Sequence, residues 1–391
     1  MKILLVKHNL NVGGGAEYFT ISVIRALKEL GHKVYLLTDI VPSTQRIRHL
    51  FGIEIVPDAI IVPRTIELIK KLPRSMYRDR LIWLTLGLAT RDLTRNHQFN
   101  LVFFTHCDSP YVIFPYNTNV HAICYIHYPY VFRLRNLVIE AHRKPIKAIA
   151  HLPLSIADPC ISYIAIKRHH NITVLCNSRF TAKAIEHLYK LKAHILYPPA
   201  RVEPYLGRII SQKDKDPNTV ITIARISPEK QLENTIKLAS MLPEKYRVII
   251  CGGLSDEPRE KKYFNQLHEL ISKLKLENRV TILTNVRVDE LASLLMRSSI
   301  YFHPTQSEHF GLAPIEALAA KTLPIVPLNS GIGEALPKYL TYTNLYDAVR
   351  KILIYSNKAV EIASKLRKLT SYFTYDAFKL RFSKIINTLT P

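Results

Sequence analysis

Short apolar runs alternate with longer amphipathic segments along the first half of the chain, and this pattern predicts strands separated by helices. An apolar run at residues 2–6 is followed by a helical pattern at 16–30, which ends at Gly31, and by a second apolar run at 33–38. Further runs predict buried strands at residues 53–56, 101–104, 121–126 and 173–176. Continuous apolar strands are typical of a parallel sheet that helices cover on both faces.

A polar stretch at residues 212–218 predicts a linker, after which the alternation restarts. Predicted strands of the second half lie at residues 219–224, 247–251, 279–283, 299–302 and 323–326. Predicted helices lie at residues 231–242, 259–274, 289–297 and 314–320, and the tail at 345–389 is mostly helical. The pattern therefore predicts an α/β protein with two doubly wound, Rossmann-like domains, at residues 1–205 and 206–374. We expect the last helix, at about 375–391, to pack back on the first domain.

In doubly wound sheets, ligands bind beyond the carboxyl ends of the strands, so we expect a site where two such rims face each other across a cleft. The most informative segment there holds two carboxylates, Glu308 and Glu316, with seven residues between them. Pro314 marks the first turn of a helix, whose free amides at residues 311–313 would attract a phosphate. Carboxylates on both sides of an anion site suit a nucleotide-sugar. Considered alone, Glu316 is equally well explained as a first-turn acid that favours the helix dipole, and Glu308 as a surface residue.

Arg225 and Lys230 follow the first predicted strand of the second half. Arginine can bind phosphate oxygens through two parallel bonds, and lysine acts as a mobile point charge. Together they could neutralise a departing nucleoside diphosphate. A turn with surface ions is the alternative, but the presence of Glu308 and Glu316 in the same half favours the phosphate role.

Two glycine turns and one histidine also follow predicted strands, where they could contact a ligand. The triplet that includes Gly14 and Gly15 lets backbone amides approach a phosphate or sugar, although glycine turns are common. The neutral imidazole of His127 could hydrogen-bond a sugar hydroxyl, although a lone histidine at such a place is usually structural. The turn at residues 330–333 could cover the far side of a nucleotide.

The net charge of +23, from 54 Lys and Arg against 31 Asp and Glu, requires a partner or a reason. Nucleic acid, an anionic membrane and a polyanionic substrate compete. The basic residues are scattered and no nucleic-acid-binding motif is present, so no nucleic acid is expected. Residues 64–95 combine Lys70, Lys71, Arg74, Arg78 and Arg80 with the apolar run 81–88, a composition typical of a surface that rests on a membrane. A solvated basic helix beside a buried helix explains the pattern equally well.

No run approaches the roughly 20 apolar residues of a membrane-spanning helix, and the start of the chain predicts a strand rather than a signal peptide. The five cysteines never form a Cys-x-x-Cys pair, so we expect reduced core residues in a cytoplasmic protein without structural zinc. Asp214-Lys215-Asp216 matches the Asp-x-Asp pattern that holds a divalent ion in some enzymes. Because it falls in the predicted linker, we assign no metal.

The order of these motifs resembles that of the retaining nucleotide-sugar glycosyltransferases of family 4, which have the GT-B fold. The resemblance rests on the glycines and acid at residues 13–17, His127, Arg225-x4-Lys230, Glu308-x7-Glu316 and Asn329-Ser330-Gly331. The segments 124–129, 195–199 and 308–311 are similar to the branch of α-1,2-mannosyltransferases that extends the dolichol-pyrophosphate-linked oligosaccharide for asparagine glycosylation.

The resemblance implies catalytic roles for four residues. Arg225 and Lys230 would bind the donor diphosphate, Glu308 would hold the donor sugar near the reacting carbon, and His127 would lie beside the sugar and acceptor. The donor pocket would be completed by Gly14, Gly15, Phe310, Gly311, Leu312 and Glu316. Among these, Glu316 would hold the ribose.

The resemblance also implies the reaction. Transfer would retain the anomeric configuration by a front-face route without a metal or other cofactor, as the leaving diphosphate takes the acceptor's proton. We expect a GDP- or UDP-linked hexose donor, with mannose favoured, a lipid-linked glycan acceptor, and peripheral attachment to the cytoplasmic membrane face. The alternatives are a transferase for a soluble acceptor or polysaccharide, and a non-catalytic polyanion-binding protein on this scaffold.

Overall fold

The computed structural model describes residues 1–53, 56–73, 75–116, 118–129, 145–168, 171–205, 213, 215–306 and 308–389. The chain divides into two compact units. The first unit comprises Met1–Tyr197 and Lys379–Pro391, and the second unit comprises Pro198–Phe378. The division therefore falls at 197/198 and 378/379. The sequence pattern predicted it at 205/206 and about 374/375.

The first unit is built on a seven-stranded parallel sheet of order β3-β2-β1-β4-β5-β6-β7. Its strands are β1 (Lys2–Val6), β2 (Lys33–Leu37), β3 (Ala59–Ile61), β4 (Leu101–Phe104), β5 (His121–Ile126), β6 (Ile172–Cys176) and β7 (His194–Ile195). Its helices are α1 (Gly15–Glu29), α2 (Thr44–Phe51), α3 (Thr65–Lys70), α4 (Met76–Asn96), α5 (Pro145–Lys167), α6 (Arg179–Tyr189) and, from the end of the chain, most of α13 (Tyr375–Thr388). In the core of this unit the α13 residue Phe382 packs on Phe103 of β4, with ring centroids 5.8 Å apart.

The second unit contains a six-stranded parallel sheet of order β10-β9-β8-β11-β12-β13. Its strands are β8 (Asp216–Ile223), β9 (Arg247–Gly252), β10 (Val280–Thr284), β11 (Ser298–Phe302), β12 (Leu323–Pro327) and β13 (Thr341–Tyr342). Its helices are α7 (Glu233–Met241), α8 (Pro258–Lys273), α9 (Val288–Arg297), α10 (Ala313–Ala319), α11 (Leu345–Tyr355) and α12 (Ala359–Leu366). The two parallel sheets confirm the predicted α/β fold class.

Strand order reverses once in each sheet, between β1 and β4 in the first unit and between β8 and β11 in the second. Doubly wound sheets bind ligands at this reversal, at the carboxyl ends of the strands. The reversal in each unit is therefore where functional side chains are expected.

The linker prediction at residues 212–218 is wrong in the part that the structure describes. Strand β8 begins at Asp216, whose carboxylate accepts bonds from the Asn218 amide and the Thr219 hydroxyl. Lys215 is buried, and its ammonium donates to the carbonyls of Leu295 and Ser298 at 3.1 and 2.7 Å and to the Thr322 hydroxyl. The predicted strand at 53–56 includes residues outside the described part, and the short strand β3 follows it instead.

Two further predictions need correction. Cys160 is exposed, whereas the other four cysteines, Cys107, Cys124, Cys176 and Cys251, are buried as predicted, and all five are free. Half of the residues in the apolar run 81–88 are buried, among them Ile82, Trp83 and Leu86, in agreement with the alternative of a buried helix. Arg80 is buried as well, and its guanidinium lies 3.0 Å from the Asp158 carboxylate. No described helix is long and apolar enough to span a bilayer.

Candidate functional site

The loops after β8 and β11 bring together two of the predicted site residues, Lys230 and Glu308. The chain leaves β8 through a 3₁₀ turn, Pro228–Lys230, and leaves β11 through the loop that precedes α10. The Lys230 Nζ lies 2.8 Å from Oε2 of Glu308, and only 24% and 11% of the two side chains are exposed. The structure therefore places an ammonium and a carboxylate in contact at the reversal of the second sheet.

Glu308 is held in its charged form. Burial alone would raise its pKa, but the Lys230 ammonium and the hydrogen bond from His303 outweigh burial and hold the pKa of Glu308 well below its ordinary value. A carboxylate in this state accepts hydrogen bonds and does not donate protons near neutral pH. Glu308 can therefore bind hydroxyl groups, but it cannot serve as a general acid.

Arg225 forms its ion pair with Glu229. Its guanidinium contacts Glu229, with Nη2 3.2 Å from the carboxylate, and 38% and 47% of these side chains are exposed. Exposed pairs contribute about 0–1 kcal/mol, so the contact with Glu229 is easily exchanged for another anion. The site-role predictions for Arg225 and Lys230 remain predictions, and the structure leaves Arg225 accessible for its role.

Glu316 is buried in α10 and forms an ion pair that the sequence pattern did not indicate. The Arg201 Nε lies 3.2 Å from its Oε1, and the Glu316 side chain is 5% exposed. Arg201 precedes the predicted start of the second domain, which is why it was missed. The predicted contact of Glu316 with a ribose would have to share the carboxylate with Arg201.

The loop between the two acids is shaped by glycine. Gly311 has φ +87°, in the left-handed region, and a β-carbon there would lie 3.2 Å from Cγ of Glu308. Phe310 is buried and packs against Phe373, with ring centroids 5.7 Å apart, while Leu312 is the N-cap residue of α10. The Phe310 side chain thus anchors the loop in the core, and only its backbone remains for the predicted donor contact.

The glycine turn at residues 330–333 holds this loop from the other side. The Gly331 amide donates to the Glu308 carbonyl at 2.7 Å, and a β-carbon on Gly331 would lie 1.8 Å from the His309 carbonyl oxygen. Ile332, in the middle of the turn, is fully buried. The turn therefore supports Glu308 through the backbone.

The first unit has a separate charged cluster at the reversal between β1 and β4. Lys7, just after β1, lies 2.7 Å from Glu17 of α1, and the two side chains are 1% and 8% exposed. Burial would raise the pKa of Glu17, but the Lys7 ammonium lowers it to about 2. The Gly14 amide donates to Glu17 Oε2 at 2.9 Å, and Gly15 begins α1. The predicted phosphate contact of Gly14 would therefore compete with Glu17.

His127 belongs to the same cluster. Its amide donates to Asp108 Oδ1 at 2.7 Å, and Asp108 Oδ2 lies 3.2 Å from Nε2 of His106. The Lys7 ammonium in turn lies 3.0 Å from Nδ1 of His106. Burial lowers the pKa of His127 to about 3 even though Asp108 opposes this, so its ring is neutral near pH 7.

The neutral ring of His127 has a defined tautomer. Its Nε2 lies 3.1 Å from the Thr105 carbonyl oxygen, which can only accept, so Nε2 carries the hydrogen. Nδ1 is then a hydrogen-bond acceptor. His127 can therefore receive a hydrogen bond from a ligand hydroxyl, as the sequence interpretation requires.

Sequence reasoning missed the residues that support the predicted ones: Lys7, His106, Asp108, Arg201, Tyr301 and His303. A signal existed for Lys7 and His303, since each directly follows a buried strand. Among the described residues, no group of three or more His, Cys, Asp or Glu side chains could hold a metal ion.

Two family models match the chain. The model described as Glycosyltransferase Family 4 matches residues 13–203, and the model described as glycosyl transferases group 1 matches residues 208–371. The first match covers most of the first unit, and the second match covers most of the second unit.

The chain is also similar to individual proteins, both in sequence and in structure. A GDP-Man:Man(3)GlcNAc(2)-PP-Dol alpha-1,2-mannosyltransferase of Dictyostelium discoideum is 26% identical over 55% of this chain, which spans about half (47%) of that relative's length. The protein of the same name from Caenorhabditis elegans is 24% identical over 80% of this chain and 73% of its own. The crystal structure of Anabaena Alr3699/HepE in complex with UDP and glucose superposes with a TM-score of 0.68, at 17% identity, over 99% of this chain and 100% of that chain.

Proposed function

Because this chain belongs to the GT-B glycosyltransferases, with a family 4 domain followed by a group 1 domain, we propose that it moves mannose from a nucleotide-sugar to a lipid-linked glycan with retention of configuration. The observation that carries this proposal is the Lys230–Glu308 pair, 2.8 Å apart at the strand-order reversal of the second sheet. A cation for a diphosphate and a carboxylate for sugar hydroxyls lie side by side there.

The donor diphosphate is assigned to Lys230 and Arg225. An ammonium has three N–H groups, and the contact of Lys230 with Glu308 occupies one of them. Arg225 is accessible and held only by an exposed ion pair with Glu229. Preorganised charge of this kind typically contributes about 3–4 kcal/mol to a transition state in which a phosphate leaves. These two cations supply that charge without a resident metal, so we expect chelators to leave activity unchanged.

Glu308 is the proposed binding residue for the donor sugar, and the leaving diphosphate is the proposed base for the acceptor's proton. Since the pKa of Glu308 is held well below its ordinary value, its carboxylate accepts hydrogen bonds from sugar hydroxyls. It has no proton to give and its partners keep it charged, so the acceptor's proton passes to the departing diphosphate. In the first unit, Nδ1 of His127 is the proposed hydrogen-bond acceptor for a hydroxyl of the donor sugar or of the acceptor glycan.

GDP-mannose is the proposed donor, because GDP-Man and a dolichol-linked oligosaccharide appear in the names of the related mannosyltransferases. A UDP-sugar with a soluble or polysaccharide acceptor is the second candidate, since the same fold is seen with UDP and glucose bound in the Anabaena protein.

Thermal-shift measurements with GDP-mannose, UDP-glucose and UDP-N-acetylglucosamine test the donor. A ligand that binds only the folded state at 100 times its Kd adds about 2.7 kcal/mol of stability. GDP-mannose should raise the melting temperature more than the two UDP-sugars. A larger shift with a UDP-sugar would favour the second candidate, and no shift with any of the three would contradict a nucleotide-sugar site.

The lipid-linked acceptor is supported by an exposed patch on α3 and α4. Four apolar side chains there are 42–66% exposed, namely Leu68, Leu72, Tyr77 and Leu81. Arg64 and Lys71 are exposed beside them. Apolar side chains flanked by cations suit the surface of an anionic bilayer.

Vesicle flotation tests this patch. The wild type should float with phosphatidylserine-containing vesicles, and the double variant Leu68→Ser with Leu72→Ser should float less. The matched control is Tyr346→Ser, which removes an apolar side chain that is 80% exposed in the second unit. Equal flotation of all three proteins would contradict the patch, and no flotation of the wild type would favour a soluble acceptor.

A further inference from the structure

His303 is a buried histidine beside the Lys230–Glu308 pair for which the proposed function gives no role. It directly follows β11, and its side chain is 4% exposed. Its Nε2 lies 3.3 Å from Oε2 of Glu308, and its Nδ1 lies 3.1 Å from the hydroxyl of Tyr301. The imidazole therefore joins the carboxylate to a tyrosine of the same strand.

The hydrogen positions in this arrangement follow from what each group can donate. The Glu308 carboxylate only accepts, so Nε2 of His303 carries a hydrogen and donates it. Nδ1 of His303 faces the hydroxyl of Tyr301 at 3.1 Å, and the same hydroxyl lies 3.3 Å from the carbonyl oxygen of Ile223. Burial raises the pKa of Tyr301 well above its ordinary value, so this hydroxyl keeps its proton.

Both protein donors reach the same oxygen of Glu308. The Lys230 Nζ lies 2.8 Å from Oε2, the atom that also faces His303. Within the part of the chain that the structure describes, no hydrogen bond reaches Oε1. One oxygen is thus engaged by the protein, and the other remains for a ligand.

Separate contacts hold the backbone and the ring of His303. The hydroxyl of Tyr342 donates to the His303 carbonyl at 2.7 Å. A β-carbon on Gly311 would lie 3.6 Å from Cε1 of His303 and 3.2 Å from Cγ of Glu308. The absence of a side chain at Gly311 leaves room for the two groups to meet.

We propose that His303 is a positioning residue, which holds Oε2 of Glu308 through its Nε2–H so that Oε1 can accept a hydrogen bond from a hydroxyl of the donor sugar. The assignment of Oε1 to the sugar rests on the proposed function, whereas the orientation of Glu308 by His303 does not. Among the described residues, the charged and titratable groups that act on Glu308 include Lys230, His303 and His309, and Tyr301 lies beyond His303. His303 links the carboxylate to the buried hydroxyl of Tyr301 in the sheet.

The test combines kinetics with NMR on full-length protein. His303→Leu removes the donor, and His303→Gln keeps an N–H that can reach the carboxylate. The matched control is Tyr342→Phe, which removes a buried hydrogen bond to the backbone of His303 but leaves its ring in place. The NMR measurement is a pH titration of ¹³C-labelled glutamate carboxyls, in which the Glu308 signal is the one missing from Glu308→Gln.

In the leucine variant, kcat for release of GDP from GDP-mannose should fall about 10- to 100-fold, the effect expected of one hydrogen bond to a charged group. The pKa of Glu308 should rise, so the acid limb of the kcat profile should move to higher pH. The glutamine variant should recover most of kcat, and Tyr342→Phe should match the wild type in both measurements. Recovery by glutamine keeps the test decisive if the leucine variant does not fold.

An unchanged Glu308 titration in His303→Leu, or an equal change in Tyr342→Phe, would overturn the proposal. The titration needs no substrate, so it is separate from the donor question. If the wild type binds none of the nucleotide-sugars, the proposed function is wrong, and the titration still decides whether His303 orients Glu308.

Discussion

Replacing Glu17 with glutamine should destabilise the first unit in a pH-dependent way. Glu17 and Lys7 form a buried ion pair, with 8% and 1% of their side chains exposed. A glutamine can still accept the hydrogen bond from the Gly14 amide, so the substitution removes mainly the charge. The loss leaves the Lys7 ammonium buried without its carboxylate, which is costly in a buried pair.

The magnitude follows from the pKa of Glu17, which the structure lowers from an ordinary 4.5 to about 2. A difference of about 2.5 pKa units corresponds to about 3 kcal/mol of stability near pH 7. A group with a depressed folded pKa contributes fully above its unfolded pKa, and the contribution is lost as pH falls through the folded value. Integration of this linkage gives a decrease of about 2 kcal/mol between pH 7 and pH 3.

Urea unfolding monitored by the fluorescence of Trp83 is a suitable assay, because the chain has one tryptophan and it lies in the first unit. The matched control is Glu29→Gln in the same helix, whose two surface pairs, with Arg25 and Lys379, should each contribute less than about 1 kcal/mol. Glu17→Gln should lose about 3 kcal/mol at pH 7 and clearly less at pH 3. A loss that is the same at both pH values, or no larger than that of the control, would refute this reasoning.

Three further predictions concern the second unit. Lys215→Met should lower the free energy of unfolding by about 2–4 kcal/mol, because three buried acceptors lose a charged donor. Thermal denaturation followed by circular dichroism measures this loss, and Lys213→Met, which changes an exposed lysine, should show none. Gly331→Ala should reduce both kcat and melting temperature, because its β-carbon would lie 1.8 Å from a carbonyl oxygen. Gly253→Ala is the control and should leave both unchanged, since the atom nearest to its β-carbon would be 3.9 Å away. Glu316→Gln should raise the KM for GDP-mannose about 10-fold with little change in kcat, since its assigned contact is the ribose; a fall in kcat alone would contradict that assignment.

The central strands could be predicted from sequence because they are buried on both faces and read as continuous apolar runs. Strands β3, β7 and β13 were missed for a physical reason. They lie at the edges of their sheets and are two or three residues long, as in Ala59–Ile61, so they contribute little apolar signal. The charged stretch that contains Lys215 was predicted as a linker because its acceptors, around Leu295 and Ser298, are distant in sequence.

The candidate site was predictable to the extent that its residues lie in the loops that follow buried strands. Lys230 and Glu308 follow β8 and β11, but only the order of the sheet makes these two strands neighbours. His303 is separated from Glu308 by a loop, and its contact depends on how that loop folds back. Local sequence shows that His303 directly follows a strand, but it contains no information about this contact.

The most direct test of the Lys230–Glu308 pair as a sugar-transfer site is the rate of GDP release from GDP-mannose in single-turnover experiments. Glu308→Gln should lower this rate about 100- to 1000-fold, as expected when preorganised charge at a reacting centre is removed. Glu361→Gln, which changes an exposed acid paired with Lys365, should leave the rate unchanged. A rate for Glu308→Gln equal to that of the wild type and the control would contradict the assignment of the site.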